Sequence, residues 1–202
     1  MIDLKQQTIE TYERAAREMA RKFEGIGTRV DDVERVFGLV GKEHPFVLEI
    51  GCGYGREAAE FLLRTDRYIG VDISEEFIRM AREAFPEAKF EVADIETYGF
   101  PEGLDAVVAF ASLLHSDRDH VANILARAHA ALVPGGIFYL SLKEGEYPEE
   151  GSIRTDEFGT RTFYFYTPDL IRKFAGTGYE AVYENRQSLR GQDWFTLALR
   201  KK

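Results

Sequence analysis

The segment Val47-Leu48-Glu49-Ile50-Gly51-Cys52-Gly53-Tyr54-Gly55-Arg56 constrains this chain more than any other. An apolar run short enough for a buried strand ends in glycines at alternate positions, and a helical pattern opens directly after it. Such a turn lets a ligand approach the backbone, because no Cβ stands in the way. Glycine turns also close ordinary strand–helix connections, so the motif needs support from the rest of the chain.

That support begins with the alternation around it. Short apolar runs at Phe46 to Ile50, Arg67 to Val71, Lys89 to Val92, Leu104 to Ala111 and Gly136 to Leu142 are separated by helical periods at Glu57 to Arg64, Ser74 to Phe85 and Asp119 to Leu132. Strand alternating with helix is the pattern of an α/β chain with a parallel sheet. Ser74 has the hydroxyl expected at a helix N-cap, and Glu75 and Glu76 suit the positive end of that helix. Two helices are expected ahead of this core. The first, Leu4 to Phe23, carries Ile9, Tyr12, Ala16, Met19 and Phe23 on one face; the second carries Val30, Val33, Phe37 and Val40 and ends at His44-Pro45.

Past residue 142 the texture changes. Lys143 to Gly159 is rich in Glu, Gly and Ser without apolar periodicity, and reads as a surface loop or mobile lid. Arg161 to Tyr166 reads as a short strand and Pro168 to Ala175 as a helix. Ala181 to Leu189 and Trp194 to Leu199 read as an antiparallel pair joined at residues 190–193. At 202 residues the chain is expected to form one domain, with N-terminal helices over 1–44, a ligand-binding core over 45–142, and a lid with closing strands over 143–202.

Charge and composition narrow the partners. With 35 acidic against 26 basic residues the formal charge is -9, which repels phosphate backbones and anionic membranes, so neither nucleic acid nor membrane is an expected partner. The single cysteine, Cys52, excludes an intramolecular disulfide and any thiolate-clustered zinc site, and the four histidines lack ligand spacing, so no metal is expected. The charged start is unlike a signal peptide, which makes a cytoplasmic location the expectation.

A second motif gives the glycine turn a ligand class. Ile69-Gly70-Val71-Asp72 is a strand ending in an acid about 20 residues after the first glycine, the place from which a carboxylate accepts hydrogen bonds from ribose hydroxyls. The lesser alternative for Asp72 is a cap for the helix opening at Ser74. Dinucleotide enzymes carry G-x-G-x-x-G; here the third glycine comes one residue early, which favours a nucleoside without a pyrophosphate. Asp94-Ile95 closes a third strand, where a polar residue can meet an adenine amino group or simply cap a loop.

Together, and in this order, these residues and Pro134-Gly135-Gly136 resemble the class I S-adenosylmethionine-dependent methyltransferase family over residues 46 to 142. The resemblance implies a three-layer α/β sandwich around a mostly parallel seven-stranded sheet whose last strand is antiparallel. It implies S-adenosylmethionine as cofactor, bound around Glu49, Gly51, Cys52, Gly53, Gly55, Arg56, Asp72 with Ile73, and Asp94 with Ile95. Ala111 and Ser112, beside Phe110, are then expected near the transferable methyl, and Tyr12 and Arg17 over the cofactor. Motifs of amino-methylating DNA enzymes and of cytosine C5 enzymes are absent, so a small-molecule acceptor is expected. Residues 111–115 and 161–168 resemble a group of small bacterial-type members whose substrates are mostly unassigned.

Methyl transfer to a neutral nucleophile displaces a proton, and His115, just past the fourth strand where substrates enter such sheets, is the candidate general base. A lone histidine there also serves as a helix-start packing residue. Arg56 is placed to pair with a cofactor carboxylate, and Arg154, Arg161, Tyr164 and Tyr166 to line an acceptor pocket. Two other functions share much of this pattern: a nicotinamide-dependent oxidoreductase, and a domain that binds S-adenosylmethionine without catalysis. The acids between Glu144 and Glu157 would disfavour an anionic acceptor at the lid if they face it.

Overall fold

A computed structural model describes residues 3–202. Asp3 caps α1 (Leu4–Glu24), accepting from the amides of Lys5 and Gln6, and α2 (Val30–Val40) follows. The alternating core is β1 (Val47–Ile50), α3 (Ala58–Leu62), β2 (Tyr68–Asp72), α4 (Glu75–Ala84), β3 (Lys89–Val92), β4 (Leu104–Phe110), α5 (Arg118–Ala131) and β5 (Leu132–Lys143). The chain closes with β6 (Ser152–Asp156), β7 (Gly159–Phe163), α6 (Pro168–Ala175), β8 (Tyr179–Leu189) and β9 (Gln192–Lys201). Among the described residues no helix is long and apolar enough to cross a membrane.

The main sheet has seven strands in the order β3-β2-β1-β4-β5-β9-β8. β1 to β5 pair in parallel, and β9, the last strand of the chain, runs antiparallel to both its neighbours. Alternate residues of β4 enter opposite cores: Val107 and Ala109 pack with α5, whereas Ala106, Val108 and Phe110 face the side covered by α2, α3 and α4. The period-two alternation of a strand buried on both faces thus gives the expected helix–sheet–helix sandwich. Because the strand order reverses between β1 and β4, their carboxyl ends open a crevice at the point where ligands settle in such sheets.

Several boundaries differ from the sequence reading for local reasons. α2 stops at Gly41, whose φ of 63° and amide bond to the Phe37 carbonyl end the helix before His44-Pro45 is reached. β5 starts at Leu132, with residues 133–136 bulging out between the pairs Leu104–Leu132 and Ala106–Ile137. β8 and β9 meet in a two-residue turn, Arg190-Gly191, both at positive φ. The largest departure lies between Lys143 and Gly159: this stretch is no structureless loop, since β6 pairs with β7 in an antiparallel hairpin. Thr11 Oγ1 donates to the Thr160 carbonyl at 2.8 Å and the Thr162 amide donates to Thr8 Oγ1 at 3.0 Å, which fastens the hairpin to α1. The threonines interrupting the apolar face of α1 are its docking points.

Candidate functional site

The carboxyl ends of β1, β2, β4 and β5, together with α1, α2 and the β6–β7 hairpin, enclose a cavity of about 1150 Å³. Its floor is the glycine turn. Gly51 has φ of 68°, and a Cβ built there would lie 2.3 Å from Ser112 Cβ, so the first glycine is required both by its backbone and by the approach of the β4 loop. Gly53, at φ 56°, meets nothing within 4 Å on its Cβ side, leaving that face of the turn open to a ligand. Ala111 also holds a positive φ, 54°, where β4 breaks toward Ser112.

Asp72 locks this turn to β2. One carboxylate oxygen accepts the Gly53 amide and the other the Ser74 amide, both at 2.9 Å. The capping and ligand-holding roles are therefore compatible: each oxygen keeps a lone pair for a further donor. Burial raises the Asp72 pKa, opposed by hydrogen bonds from the Ser74 and Gly53 amides. Around the turn, Tyr54 and Ser112 line the cavity, and their hydroxyls are buried at its edge without a hydrogen-bond partner. A buried hydroxyl left so costs on the order of 1–3 kcal/mol unless a ligand satisfies it.

At the other end the cavity is aromatic and cationic. His115 sits in a short 3-10 turn after β4, its Nδ1 2.7 Å from the Thr162 carbonyl and its Nε2 2.7 Å from the Tyr12 hydroxyl. A carbonyl only accepts, so Nδ1 carries the proton and Tyr12 donates to Nε2. Arg161 Nη1 in turn donates to the Tyr12 oxygen at 3.4 Å. Burial, opposed by the bond to Thr162 and assisted by the charges of Arg161 and Lys143, pushes the His115 pKa down to about 3. The imidazole is neutral and both its nitrogens are engaged.

A model of a methyltransferase domain matches residues 47–136. The trans-aconitate 2-methyltransferase of Variovorax paradoxus (strain S110) is 31% identical over 100 residues, which is 48% of this chain and 38% of that protein. The chain spans less than half the length of the curated relatives it matches. Magnesium protoporphyrin IX methyltransferase from Synechocystis PCC 6803, solved with bound S-adenosylmethionine, superposes with a TM-score of 0.73 at 18% identity, covering 100% of this chain and 99% of that one. The [4+2]-cyclase SpnF reaches 0.78 at 14% identity, over 98% and 97% of the two chains. Residues 47–136 thus match a methyltransferase domain, and the chain shares the fold of class I S-adenosylmethionine-dependent methyltransferases.

Of the residues that the resemblance assigns to the cofactor, Tyr12, Gly51, Cys52, Gly53, Arg56, Asp72, Ile73, Asp94, Ile95, Ala111 and Ser112 line the cavity, as does His115. Glu49 and Gly55 do not. Glu49 is 1% exposed and accepts the Tyr68 hydroxyl at 2.5 Å from beneath β1; Gly55 is pressed against Phe85. Arg56 pairs with Glu57 at 2.6 Å. Asp94 accepts Lys5 Nζ at 2.6 Å, tying the start of α1 to the end of β3. Burial holds the Cys52 thiol well above its usual pKa, so it stays protonated. Arg17 is exposed and paired with Glu76 outside the cavity. Tyr166 is wholly buried, with its hydroxyl bonded to the Ser116 carbonyl, and Tyr164 stacks on Tyr147.

Sequence reasoning missed Lys5, Tyr54, Lys143 and Trp194, all of which line the cavity. Lys143 had a usable signal: it directly follows the apolar run of the fifth strand, where ligand-facing residues of such sheets stand. Lys5 and Trp194 had none, because only tertiary packing brings a first-turn lysine and a closing-strand tryptophan to this crevice.

Proposed function

We propose that this protein transfers the methyl group of S-adenosylmethionine to a small-molecule acceptor bound between α1, the turn after β4 and the β6–β7 hairpin. One observation carries the reading: the glycine turn, Asp72 and the two unpartnered hydroxyls of Tyr54 and Ser112 share one cavity with a separate aromatic, cationic end. The first set fits a nucleoside with a polar tail, and the second leaves room for an acceptor. The names of relatives, a trans-aconitate and a protoporphyrin methyltransferase, support a small molecule as acceptor.

When bound, S-adenosylmethionine supplies a methyl carbon activated by a positively charged sulfur. The chain's own work is then to hold the reactants in line and keep water out, which contributes roughly 7–11 kcal/mol of barrier lowering in well-oriented systems. Asp72 would hold the ribose hydroxyls, Tyr54 and Ser112 would bond the polar tail, and Lys5 would steady Asp94 at the adenine end. His115 is poorly suited to the base role: its accepting nitrogen is occupied by Tyr12 and its pKa of about 3 makes it a weak base. We assign it instead to positioning Tyr12 and the hairpin.

Calorimetric titration with S-adenosylmethionine, S-adenosylhomocysteine and NAD tests the reading, with Asp72→Ala as control. Binding of the first two, lost in the variant, is expected. Binding of NAD alone, or of none of the three, would remove the methyltransferase reading.

A further inference from the structure

The ring of Phe163 is ringed by cations. Lys143 Nζ lies 4.0 Å from its centroid, Arg161 Cζ 5.3 Å and Arg154 Cζ 5.9 Å. All three side chains line the cavity. Against these three charges stands one nearby acid, Asp156, which pairs with Arg161. Among the described residues, no carboxylate comes within 4.0 Å of Lys143 or Arg154. Arg161 is only 8% exposed, and its Nε is buried with no hydrogen-bond partner. Lys143 and Arg161 held close, with the exposed Arg154 beside them, one counter-ion between them and an unused buried donor, are costly to assemble without an anion.

Apart from Asp156, the paired acids of residues 144–157 do not neutralise this cluster. Glu144 pairs with Arg186, Glu149 with Arg118 and Glu157 with Lys22. Arg154, though exposed, lines the cavity while these three glutamates bind other elements, which reverses the expectation that this acidic stretch repels an anionic acceptor.

We infer that the acceptor is a small carboxylate, held by Lys143, Arg154 and the free edge of Arg161 against Phe163 and Trp194, and that the product is a methyl ester. This rests on the methyltransferase reading above. A carboxylate also resolves the missing base. As an acceptor oxygen bonds to the methyl carbon, the methyl–sulfur bond breaks with its electron pair left on sulfur; one negative and one positive charge disappear, and no proton is displaced. A neutral alcohol or amine would need a proton taken up, and the one histidine in the cavity is already engaged.

Lys143 supplies an independent readout. Burial, then the charges of Arg154 and Arg161, opposed by Asp156, push its pKa down to about 8. The groups facing it are Arg154 and Asp156 from β6, Arg161 and Phe163 from β7, Trp194 from β9 and His115. The histidine stays neutral between pH 7 and 9, and burial raises the Tyr12 pKa.

The test titrates the protein, saturated with S-adenosylhomocysteine, with trans-aconitate, phenylacetate and the corresponding amides. At least one carboxylate is expected to bind with Kd below about 1 mM, and its amide about tenfold or more weaker. Lys143→Gln and Arg154→Gln should each weaken that carboxylate about tenfold. Its affinity should fall as pH rises through about 8 in the wild type and stay flat in Lys143→Gln. With S-adenosylmethionine carrying a labelled methyl, the label should enter a base-labile ester. The inference is overturned if S-adenosylhomocysteine binds while carboxylates bind no better than amides, if neither substitution weakens them, or if label enters only neutral acceptors. Failure of the protein to bind S-adenosylhomocysteine at all would overturn the methyltransferase reading together with it.

Discussion

The two ends of the cavity solve opposite electrostatic problems. At the glycine turn, carboxylates are brought among backbone amides: Asp72 accepts two of them and Asp94 accepts the Glu96 amide and the Lys5 ammonium. At the hairpin, cations are brought among aromatic rings with little acid to offset them. The first arrangement is built partly from local amides, those of Ser74 and Glu96, and partly from the neighbouring glycine turn and α1. The second is assembled from the consecutive strands β5, β6 and β7 and closed by α1, which is far from them in sequence. A protein of net charge -9 therefore presents a locally positive end of its cavity, which shows how little an overall charge says about a site.

The sharpest way to break the glycine-turn half is Gly51→Ala. The new methyl would meet Ser112 and the backbone would remain at φ 68°. Left-handed strain and overpacking together are worth about 2–5 kcal/mol. Thermal unfolding should show a marked drop in stability, and calorimetry should show no cofactor binding. Wild-type-like binding would mean that the approach of Ser112 to the turn is irrelevant to the ligand. Asp72→Ala comes next. It removes the acceptor for the Gly53 and Ser74 amides as well as the proposed ribose contact, so S-adenosylhomocysteine should bind about 100-fold more weakly or worse, charged hydrogen bonds contributing about 1.5–3 kcal/mol each. Asp72→Asn, which keeps an acceptor for one amide, should lose less.

This contrast also explains what the sequence disclosed. Strand and helix periods over residues 46–142, the cap at Ser74 and the order of Gly51, Asp72 and Asp94 are local signals, and each survives in the structure. The acceptor end depends on a hairpin whose strands, Ser152–Asp156 and Gly159–Phe163, lack clean alternation because one face is exposed and the other binds α1 through Thr8 and Thr11. Polar docking of this kind leaves no hydrophobic period to read. The same cause hid the engagement of His115: its partners, Tyr12 and the Thr162 carbonyl, lie 103 and 47 residues away.

His115 sharpens the comparison with a moderate effect. If it positions Tyr12 and the hairpin, His115→Gln should lower kcat/KM by about tenfold or less, leave the shape of the pH–rate profile unchanged and be matched by Tyr12→Phe. A base would instead lose far more, together with an acidic limb of the profile. Stability gives a second reading. Since the folded-state pKa lies near 3, below the usual value of 6.5, the unfolded chain binds the extra proton between these values, and the wild type loses stability as pH falls from 6.5 toward 3. His115→Gln should flatten that part of the curve.

The smallest effect contrasts Glu49, buried in β1 beneath the glycine turn, with the partly buried Lys143 at the hairpin end. Burial, reinforced by Glu57, raises the Glu49 pKa to about 8, so the folded protein holds a proton there that the unfolded chain releases above the usual glutamate value of 4.5. Stability attributable to Glu49 is therefore present below pH 4.5 and declines as pH rises to about 8. Glu49→Gln, which mimics the protonated acid, should be nearly neutral at pH 5 and stabilising relative to wild type at pH 8, read as a difference in denaturation midpoint. Lys143 has the opposite slope: its pKa falls from 10.5 to about 8, so its destabilising contribution is full below pH 8 and fades by 10.5. A carboxylate bound at the hairpin should erase the Lys143 slope by stabilising the ammonium, and should leave the Glu49 slope untouched because Glu49 lies outside the cavity. If a carboxylate altered both slopes equally, the two ends would act as one electrostatic unit, and their division into a cofactor end and an acceptor end would have to be abandoned.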